Sequence, residues 1–240
     1  MPAASVSPAP VRRFSANPIV AFYQSSVGKK IVVSVTGVVL VLYVLGHLLG
    51  NLQIFLGPDQ LNWYAEFLHN LGPLLWLIRF VLLACFVVHI IATIQLALEN
   101  RRAKPQKYAM TGYQASTRAS RTMIYSGLLV LCFVVYHLMH FTLMVTNPSY
   151  RDLRDHLGQH DVYRMVVLGF QQPLISLVYA AGVFLVALHL SHGFASIPQT
   201  LGLNNQRIAK FVSGGGQIIS WLVFAGYALI PAVILLGLIR

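Results

Sequence analysis

Apolar residues in this chain are gathered into five long runs, and the connections between them hold most of the polar residues. The runs span residues 30–52, 74–98, 122–146, 171–196 and 216–238. A helix needs about 20 apolar residues to cross the core of a bilayer, so each run is long enough to span a membrane. The pattern therefore predicts an all-α integral membrane protein with five transmembrane helices.

The composition supports a membrane protein, because 57% of the residues are hydrophobic and only 10% are charged. The connections leave no room for a separate soluble domain, so residues 19–240 are predicted to form a single transmembrane domain. Residues 1–18 are rich in Ala, Pro and Ser and are interpreted as a flexible tail rather than a signal peptide. Residues 19–29 are expected to form a short helix at the membrane surface.

The excess of positive charge lies on one side of the predicted membrane domain. The net charge is +11, yet the first connection (residues 53–73) holds no Lys or Arg. The excess precedes the first span or lies in the second and fourth connections: Arg12, Arg13, Lys29, Lys30, Arg101, Arg102, Lys104, Lys107, Arg118, Arg121, Arg207 and Lys210. The positive-inside rule then predicts a cytoplasmic N-terminus and an external C-terminus. Such a face attracts anionic lipid or an acidic protein, and it does not call for nucleic acid.

Each of the first four runs holds a histidine well inside it: His47, His89, His137 and His189. An ionisable ring at membrane depth is costly unless it is paired or used, so these residues are candidates for function. Because a helix rises 1.5 Å per residue, counting places His47 and His137 near the outer surface and His89 and His189 near the cytoplasm. Helices of like direction lie diagonally in a four-helix bundle. The first four helices are therefore predicted to form a haem-binding bundle with two b haems, whose irons lie about 15 Å apart.

In this prediction, His47 and His137 are the axial ligands of the outer haem iron, and His89 and His189 are those of the inner one. Gly37 comes ten residues before His47, and Gly127 stands in the same relation to His137. Both glycines fall at about the depth of the inner haem, where a missing side chain lets a flat ring approach the helix.

Three further residues are secondary candidates for the haem sites. His140 and His192 lie three residues after His137 and His189, on nearly the same helical face, so they are alternative ligands or partners of haem propionates or quinone. Arg79 lies inside the second run and either binds a propionate or reaches the outer headgroups. An all-histidine metal site is a further alternative, which the lack of carboxylates in the predicted spans disfavours.

Four short motifs give the chain a family resemblance over nearly all of residues 18–240. They are GHLLGN at 46–51, HI at 89–90 followed by a basic connection, YHLMHF at 136–141 and HLSHGF at 189–194. With them, the chain resembles the five-helix, dihaem cytochrome b subunit that anchors bacterial succinate dehydrogenases and fumarate reductases. The H-x-S-x-G pattern of 189–193 and the spacing from Gly127 to His137 are the most specific features.

The resemblance implies a function as well as a fold. It favours His137 and His189 over His140 and His192 as ligands, and it gives the same pairing of histidines as the depth count. It implies an iron–sulphur subunit docked on the cytoplasmic face and a flavoprotein subunit that interconverts succinate and fumarate. This chain would then pass electrons between the iron–sulphur subunit and a membrane quinone, commonly menaquinone in this family.

Quinone reduction also needs protons, so a quinone site requires a proton-carrying group beside an apolar slot. Four residues of the first connection offer these groups near the outer haem: Trp63, Tyr64, Glu66 and His69. Glu66 is flanked by aromatic residues and is the candidate for catalytic proton transfer. A solvated carboxylate that caps the second helix is the alternative role for Glu66, and a site near Ser25, Ser26 and His89 is the alternative location.

Two other functions stay open from the sequence. A cytochrome b anchor of a hydrogenase or a formate dehydrogenase also places histidines in a four-helix bundle. A transporter or proton channel could use the histidines as a relay without haem. The spans contain no broken helices and no acidic residues at mid-depth, which disfavours a transporter.

Overall fold

The structure is a computed structural model that describes residues 15–103, 118–200, 202 and 205–240. Most of the predicted N-terminal tail (residues 1–14), with Arg12 and Arg13, lies outside the described residues, as do residues 104–117 with Lys104 and Lys107. Within the described part, the chain is helical apart from turns and a single bridge between Arg154 and His160. The all-α prediction is therefore confirmed.

Eight α-helices follow one another in the described residues. They are α1 (Pro18–Gln24), α2 (Ser26–Asn51), α3 (Pro58–His69), α4 (Pro73–Arg102), α5 (Arg118–His137), α6 (Val162–Phe170), α7 (Pro173–Thr200) and α8 (Gln206–Leu235). Short 3-10 turns occupy Leu52–Leu56 and Pro148–Asp152, and a π turn at Leu138–Thr142 continues α5. Five helices, α2, α4, α5, α7 and α8, are long and apolar enough to cross a membrane, which confirms a multi-pass membrane protein.

The helix ends differ from the predicted spans where polar residues continue a helix. The last helix begins at Gln206 instead of 216, because the Asn205 side chain accepts hydrogen bonds from the backbone N–H of Arg207 and Ile208 and starts the helix early. Helix α4 continues past the apolar run to Arg102 and so includes Glu99. The third span ends at Thr142 instead of 146. Beyond it, Met144 has a φ of 51°, which an L-residue rarely adopts and which stops the helix.

The predicted surface helix at 19–29 is shorter than expected and turns sharply into the first span. Helix α1 ends at Gln24, and Ser25 has an extended backbone whose hydroxyl caps α2 by accepting from the N–H of Gly28 at 2.8 Å. A Cβ on Gly28 would collide with the carbonyl of Phe22. Glycine at this position therefore permits the corner between α1 and α2.

The first four long helices are arranged in two packed pairs. Helix α2 packs along α4, and α5 packs along α7; α2 also contacts α7, whereas α4 and α5 touch little. Contacts between α2 and α5 and between α4 and α7 are few, so these helices lie diagonally across the group. The fifth long helix, α8, packs mainly against α7 and also touches α2.

A layer of short helices covers the ends of the long ones at which the sequence predicts the outer polar connections. Helix α3 starts at Pro58 after Gly57, whose φ of 100° suits glycine, and it packs against α6. Asn62 joins the two helices by donating to Asp161 at 3.0 Å and accepting from the N–H of Tyr163 at 2.9 Å. The buried apolar core lies here: Ile54, Leu61, Val166, Val167, Phe170, Tyr179, Ile230 and Ile234.

Candidate functional site

His89, on α4, is held by two oxygens of α2. Its Nδ1 lies 3.1 Å from the carbonyl oxygen of Val33 and 3.1 Å from the hydroxyl oxygen of Thr36. The Thr36 hydroxyl donates its own proton to the carbonyl of Val32 at 2.7 Å, so its oxygen is an acceptor toward the ring. With two acceptors facing it, Nδ1 must carry the proton. Nε2 then keeps its lone pair, and no described residue is hydrogen-bonded to it.

His189, on α7, has an equivalent neighbour on α5. Its Nδ1 lies 3.3 Å from the hydroxyl oxygen of Ser126, and that hydroxyl donates to the carbonyl of Met123 at 2.9 Å. The serine oxygen is therefore an acceptor, and Nδ1 of His189 carries the proton. In both inner histidines, Nε2 is thus the nitrogen available to a metal.

The two glycines singled out by spacing lie against the inner histidines. A Cβ on Gly37 would stand 3.4 Å from Cε1 of His89, and one on Gly127 would stand 3.3 Å from Cε1 of His189. The two glycines therefore lie at the depth of the inner histidines, and the ring edge that approaches each of them is an imidazole.

The outer histidines meet across the diagonal between α2 and α5. The ring centres of His47 and His137 are 5.9 Å apart, and their planes are nearly perpendicular, at 78°. Two imidazoles that bind one metal ion from opposite sides have centres about 6 Å apart, because each metal–nitrogen bond is about 2 Å long. The outer pair thus has the spacing that axial ligation of one iron requires.

Aromatic side chains surround the outer pair. Tyr43 stacks on His47 with ring centres 5.4 Å apart, and Tyr227 lies 6.1 Å from the same ring. The Tyr227 hydroxyl donates to the carbonyl of Val44 at 2.9 Å, which fixes that ring against α2. His137 is bordered by Phe133, Phe141 and Tyr179, with ring centres at 6.3, 6.0 and 5.9 Å.

His140 has surroundings quite different from those of His137. It is fully buried in the π turn, its Nδ1 lies 3.0 Å from the hydroxyl of Tyr179, and its Nε2 has no hydrogen-bond partner among the described residues. Tyr150, in the connection after this turn, packs beside it with ring centres 5.9 Å apart. Burial raises the pKa of the Tyr150 phenol. The structure therefore brings His137, and not His140, to His47.

The remaining secondary candidates have few contacts. His192 is half-buried on α7, and none of the described residues is hydrogen-bonded to its side chain. Arg79 is exposed, and its guanidinium lies 5.0 Å from the centre of the Trp76 ring.

The four candidates of the first connection all lie on α3 but face different ways. Tyr64 lies against Gly50, one turn beyond His47, and a Cβ on Gly50 would stand 2.6 Å from the Tyr64 ring. Trp63 is exposed and stacks on Phe67, with ring centres 5.8 Å apart. Of the other two candidates, Glu66 is half-buried and His69 is exposed. The structure thus places Tyr64 near the outer histidines and gives no contact between Glu66 and the ring of His47.

The alternative location for a quinone site, near Ser25, contains an ion pair whose cation is buried and whose carboxylate is partly buried. Nζ of Lys29 lies 2.7 Å from Oε1 of Glu99 and donates to the carbonyl of Gln24 at 3.2 Å. The ring of Tyr23 lies beneath the same ammonium, at 5.7 Å. The hydroxyl of Ser25 donates to the carbonyl of Phe22, so it is already engaged at the corner of α1 and α2.

Comparison of the chain with family models, with curated proteins and with solved structures gives no match.

Several residues of the site were missed by the sequence analysis. One feature of the sequence could have indicated Thr36 and Ser126: each directly precedes the glycine that lies ten residues before an outer histidine. Tyr43 lies one turn before His47 and could have been found by helical spacing. Nothing in the sequence pattern indicates that Lys29 and Glu99 meet. In the described residues, no group of three or more His, Cys, Asp or Glu side chains is placed to hold a bare metal ion.

Proposed function

We propose that this chain is the cytochrome b membrane anchor of a succinate:quinone oxidoreductase and that it holds two b haems between its first four long helices. One observation carries the proposal. Two of the four intramembrane histidines, His47 and His137, face each other with ring centres 5.9 Å apart. The resemblance of four histidine motifs to dihaem anchors points the same way.

The donor chemistry of this chain suits haem iron. An axial histidine binds through a neutral nitrogen, and its other nitrogen needs a hydrogen-bond acceptor that fixes the ring. His89 and His189 meet both conditions, since Nδ1 donates to oxygens of the neighbouring helix and Nε2 is available. His47 and His137 lie among aromatic rings that restrict their rotation. When bound, the haems would supply electron transfer between the two faces of the membrane.

Exposed positive charge at one end of the molecule supports a soluble protein partner there. Arg101 and Arg102 end α4, and Arg207 and Lys210 begin α8; all four are exposed. In the orientation given by the positive-inside rule, this basic end faces the cytoplasm, where an iron–sulphur subunit with its flavoprotein would dock. The chain would then lie in the bacterial cytoplasmic membrane with its C-terminus outside, in contact with lipid.

The quinone, which is commonly menaquinone in the family that the motifs resemble, would react near the outer pair. Helix α3 brings Tyr64 to the end of α2 and carries Glu66 on the same short element. Glu66 is the proposed proton-transfer residue, and Trp63 and His69 are neighbours whose exposure leaves them accessible from the membrane surface.

Two measurements on the purified protein test the proposal and separate it from the other functions. A reduced-minus-oxidised absorbance spectrum should show a b-type band, whereas a histidine-relay transporter would show none. Affinity purification from native membranes should recover a flavin-bearing subunit together with an iron–sulphur subunit. Recovery of a hydrogenase or formate dehydrogenase module instead would replace succinate:quinone oxidoreductase with another redox complex.

A further inference from the structure

The two inner histidines are held by the same local arrangement, repeated once in each packed pair of helices. On α2, a hydroxyl residue precedes a glycine (Thr36–Gly37), and both touch His89 of α4. On α5, the dipeptide Ser126–Gly127 touches His189 of α7 in the same way. The glycine admits the edge of the ring, and the hydroxyl beside it meets Nδ1. One helix of each pair is therefore built to receive the imidazole of the other.

The direction of each hydrogen bond follows from where the hydroxyl proton goes. Thr36 donates to Val32 at 2.7 Å and Ser126 donates to Met123 at 2.9 Å, both along their own helices. Each oxygen then accepts from the imidazole. An acceptor at Nδ1 selects the tautomer with the lone pair on Nε2 and makes the ring a stronger electron donor through that nitrogen.

The two arrangements differ in one respect. Nδ1 of His89 also faces the carbonyl of Val33 at 3.1 Å, whereas the only acceptor that the described residues offer to Nδ1 of His189 is Ser126. Loss of the Thr36 hydroxyl would leave His89 with a backbone acceptor. Loss of the Ser126 hydroxyl would leave the Nδ1–H of His189 with no acceptor among the described residues.

We propose that Thr36 and Ser126 are positioning residues that set the tautomer and donor strength of the inner axial histidines, and that Ser126 has the larger effect. The inference rests on the proposed function, because the donor strength acts on the iron that His89 and His189 would share. A weaker donor stabilises ferric iron less, so removing the acceptor should shift the reduction potential of the inner haem upward.

The experiment is a redox titration, followed by absorbance, of the purified full-length protein. Ser126→Ala should raise one of the two haem potentials and leave the other unchanged. The expected change is about tenfold in the ratio of reduced to oxidised haem, which corresponds to about 59 mV for one electron. Ser126→Thr, which keeps a hydroxyl, should restore the original potential. Thr36→Val should shift the same haem by less.

Matched controls remove hydroxyls that bond only within their own helix. They are Ser196→Ala on α7, whose hydroxyl donates to Gly193, and Thr93→Val on α4, whose hydroxyl donates to the backbone of His89. Both should leave the two potentials unchanged.

Several outcomes would overturn the positioning role while leaving the proposed function intact. One is an unchanged potential in Ser126→Ala protein that binds both haems, and another is an equal shift in Ser126→Ala and Ser126→Thr. If Ser126→Ala does not accumulate, a Thr36→Val protein without any shift has the same meaning. Wild-type protein without haem would instead refute the proposed function itself.

Discussion

The four central histidines differ in what holds their rings. His89 and His189 are fixed by hydrogen bonds to a neighbouring helix, whereas His47 and His137 are confined by aromatic rings. A hydrogen bond selects one nitrogen for the proton, while an aromatic wall only restricts rotation. Small substitutions beside the inner histidines should therefore alter the donor strength of these imidazoles while leaving the rings in place.

Gly127 gives a direct test of this sensitivity. In Gly127→Ala, the new methyl group would lie 3.3 Å from Cε1 of His189, so the ring must move by a few tenths of an ångström and weaken its bond to Ser126. We expect a shifted absorbance band for one haem and a loss of stability of about 1–3 kcal/mol. In Gly215→Ala, the methyl group meets no atom within 4 Å, and this control should have neither effect. Identical spectra for both variants would contradict the expectation.

Glu66 gives a residue-scale test of the proposed quinone site. We expect Glu66→Gln to abolish quinone-coupled turnover and to leave both haems bound, because an amide cannot carry the proton that quinone reduction consumes. Asp59→Asn makes the same change on an exposed carboxylate of the same helix and should leave turnover intact. Normal turnover in Glu66→Gln protein with full haem content would remove Glu66 from the proton path.

At the residue scale, sequence reasoning could find the histidines but not their partners. Rise per residue converts position into depth, and depth alone matched His47 with His137, which meet in the structure. Contacts such as those of Thr36 and Ser126 depend on how each helix is rotated about its axis and on which helices are neighbours. Neither quantity can be obtained from the depth of a residue.

At the scale of helices, an ion pair holds the end of the bundle that carries α1. Lys29 of α2 is almost fully buried and bonds Glu99 of α4, while Tyr23 of α1 donates to Gln95 of α4 at 2.8 Å. These bonds fix α1 and α2 against α4. Because a buried charge without a partner is costly, the almost fully buried Lys29 depends on its bond to Glu99.

Lys29→Met should therefore destabilise the protein by about 3 kcal/mol, because it leaves the carboxylate of Glu99 without this cation. The double variant Lys29→Met with Glu99→Leu should recover part of the loss. Lys30→Met changes an exposed neighbour and is the control. Thermal unfolding in detergent measures all three, and equal Tm values for Lys29→Met and Lys30→Met would show that the ion pair contributes nothing.

The same scale shows what hydropathy can and cannot predict. Five spans were predicted and five are present, because about 20 consecutive apolar residues leave few alternatives to a membrane helix. The short helices α3 and α6 were missed, because they mix polar and apolar residues and bury only one side. The early start of α8 was missed for a related reason, since its first turns are polar but still helical.

At the scale of the whole molecule, the arrangement combines two similar halves with two unlike ends. Each half contributes one helix with a hydroxyl–glycine pair and one helix that supplies an inner histidine. One end carries exposed basic residues, and the other is covered by α3 and α6 around an apolar core. In the proposed function, a soluble partner would meet the basic end and a lipid-soluble one would react near the outer pair.

The central claim is that two diagonal pairs of histidines hold two haems, and pyridine haemochrome quantitation of purified variants tests it most directly. We expect two haems per wild-type chain, one per chain in His47→Leu, His137→Leu and the double variant of both, and none in His47→Leu with His89→Leu. His140→Leu and His192→Leu, which change neighbours three residues away, should keep two. Unchanged stoichiometry in the single variants of His47, His89, His137 and His189 would contradict the account.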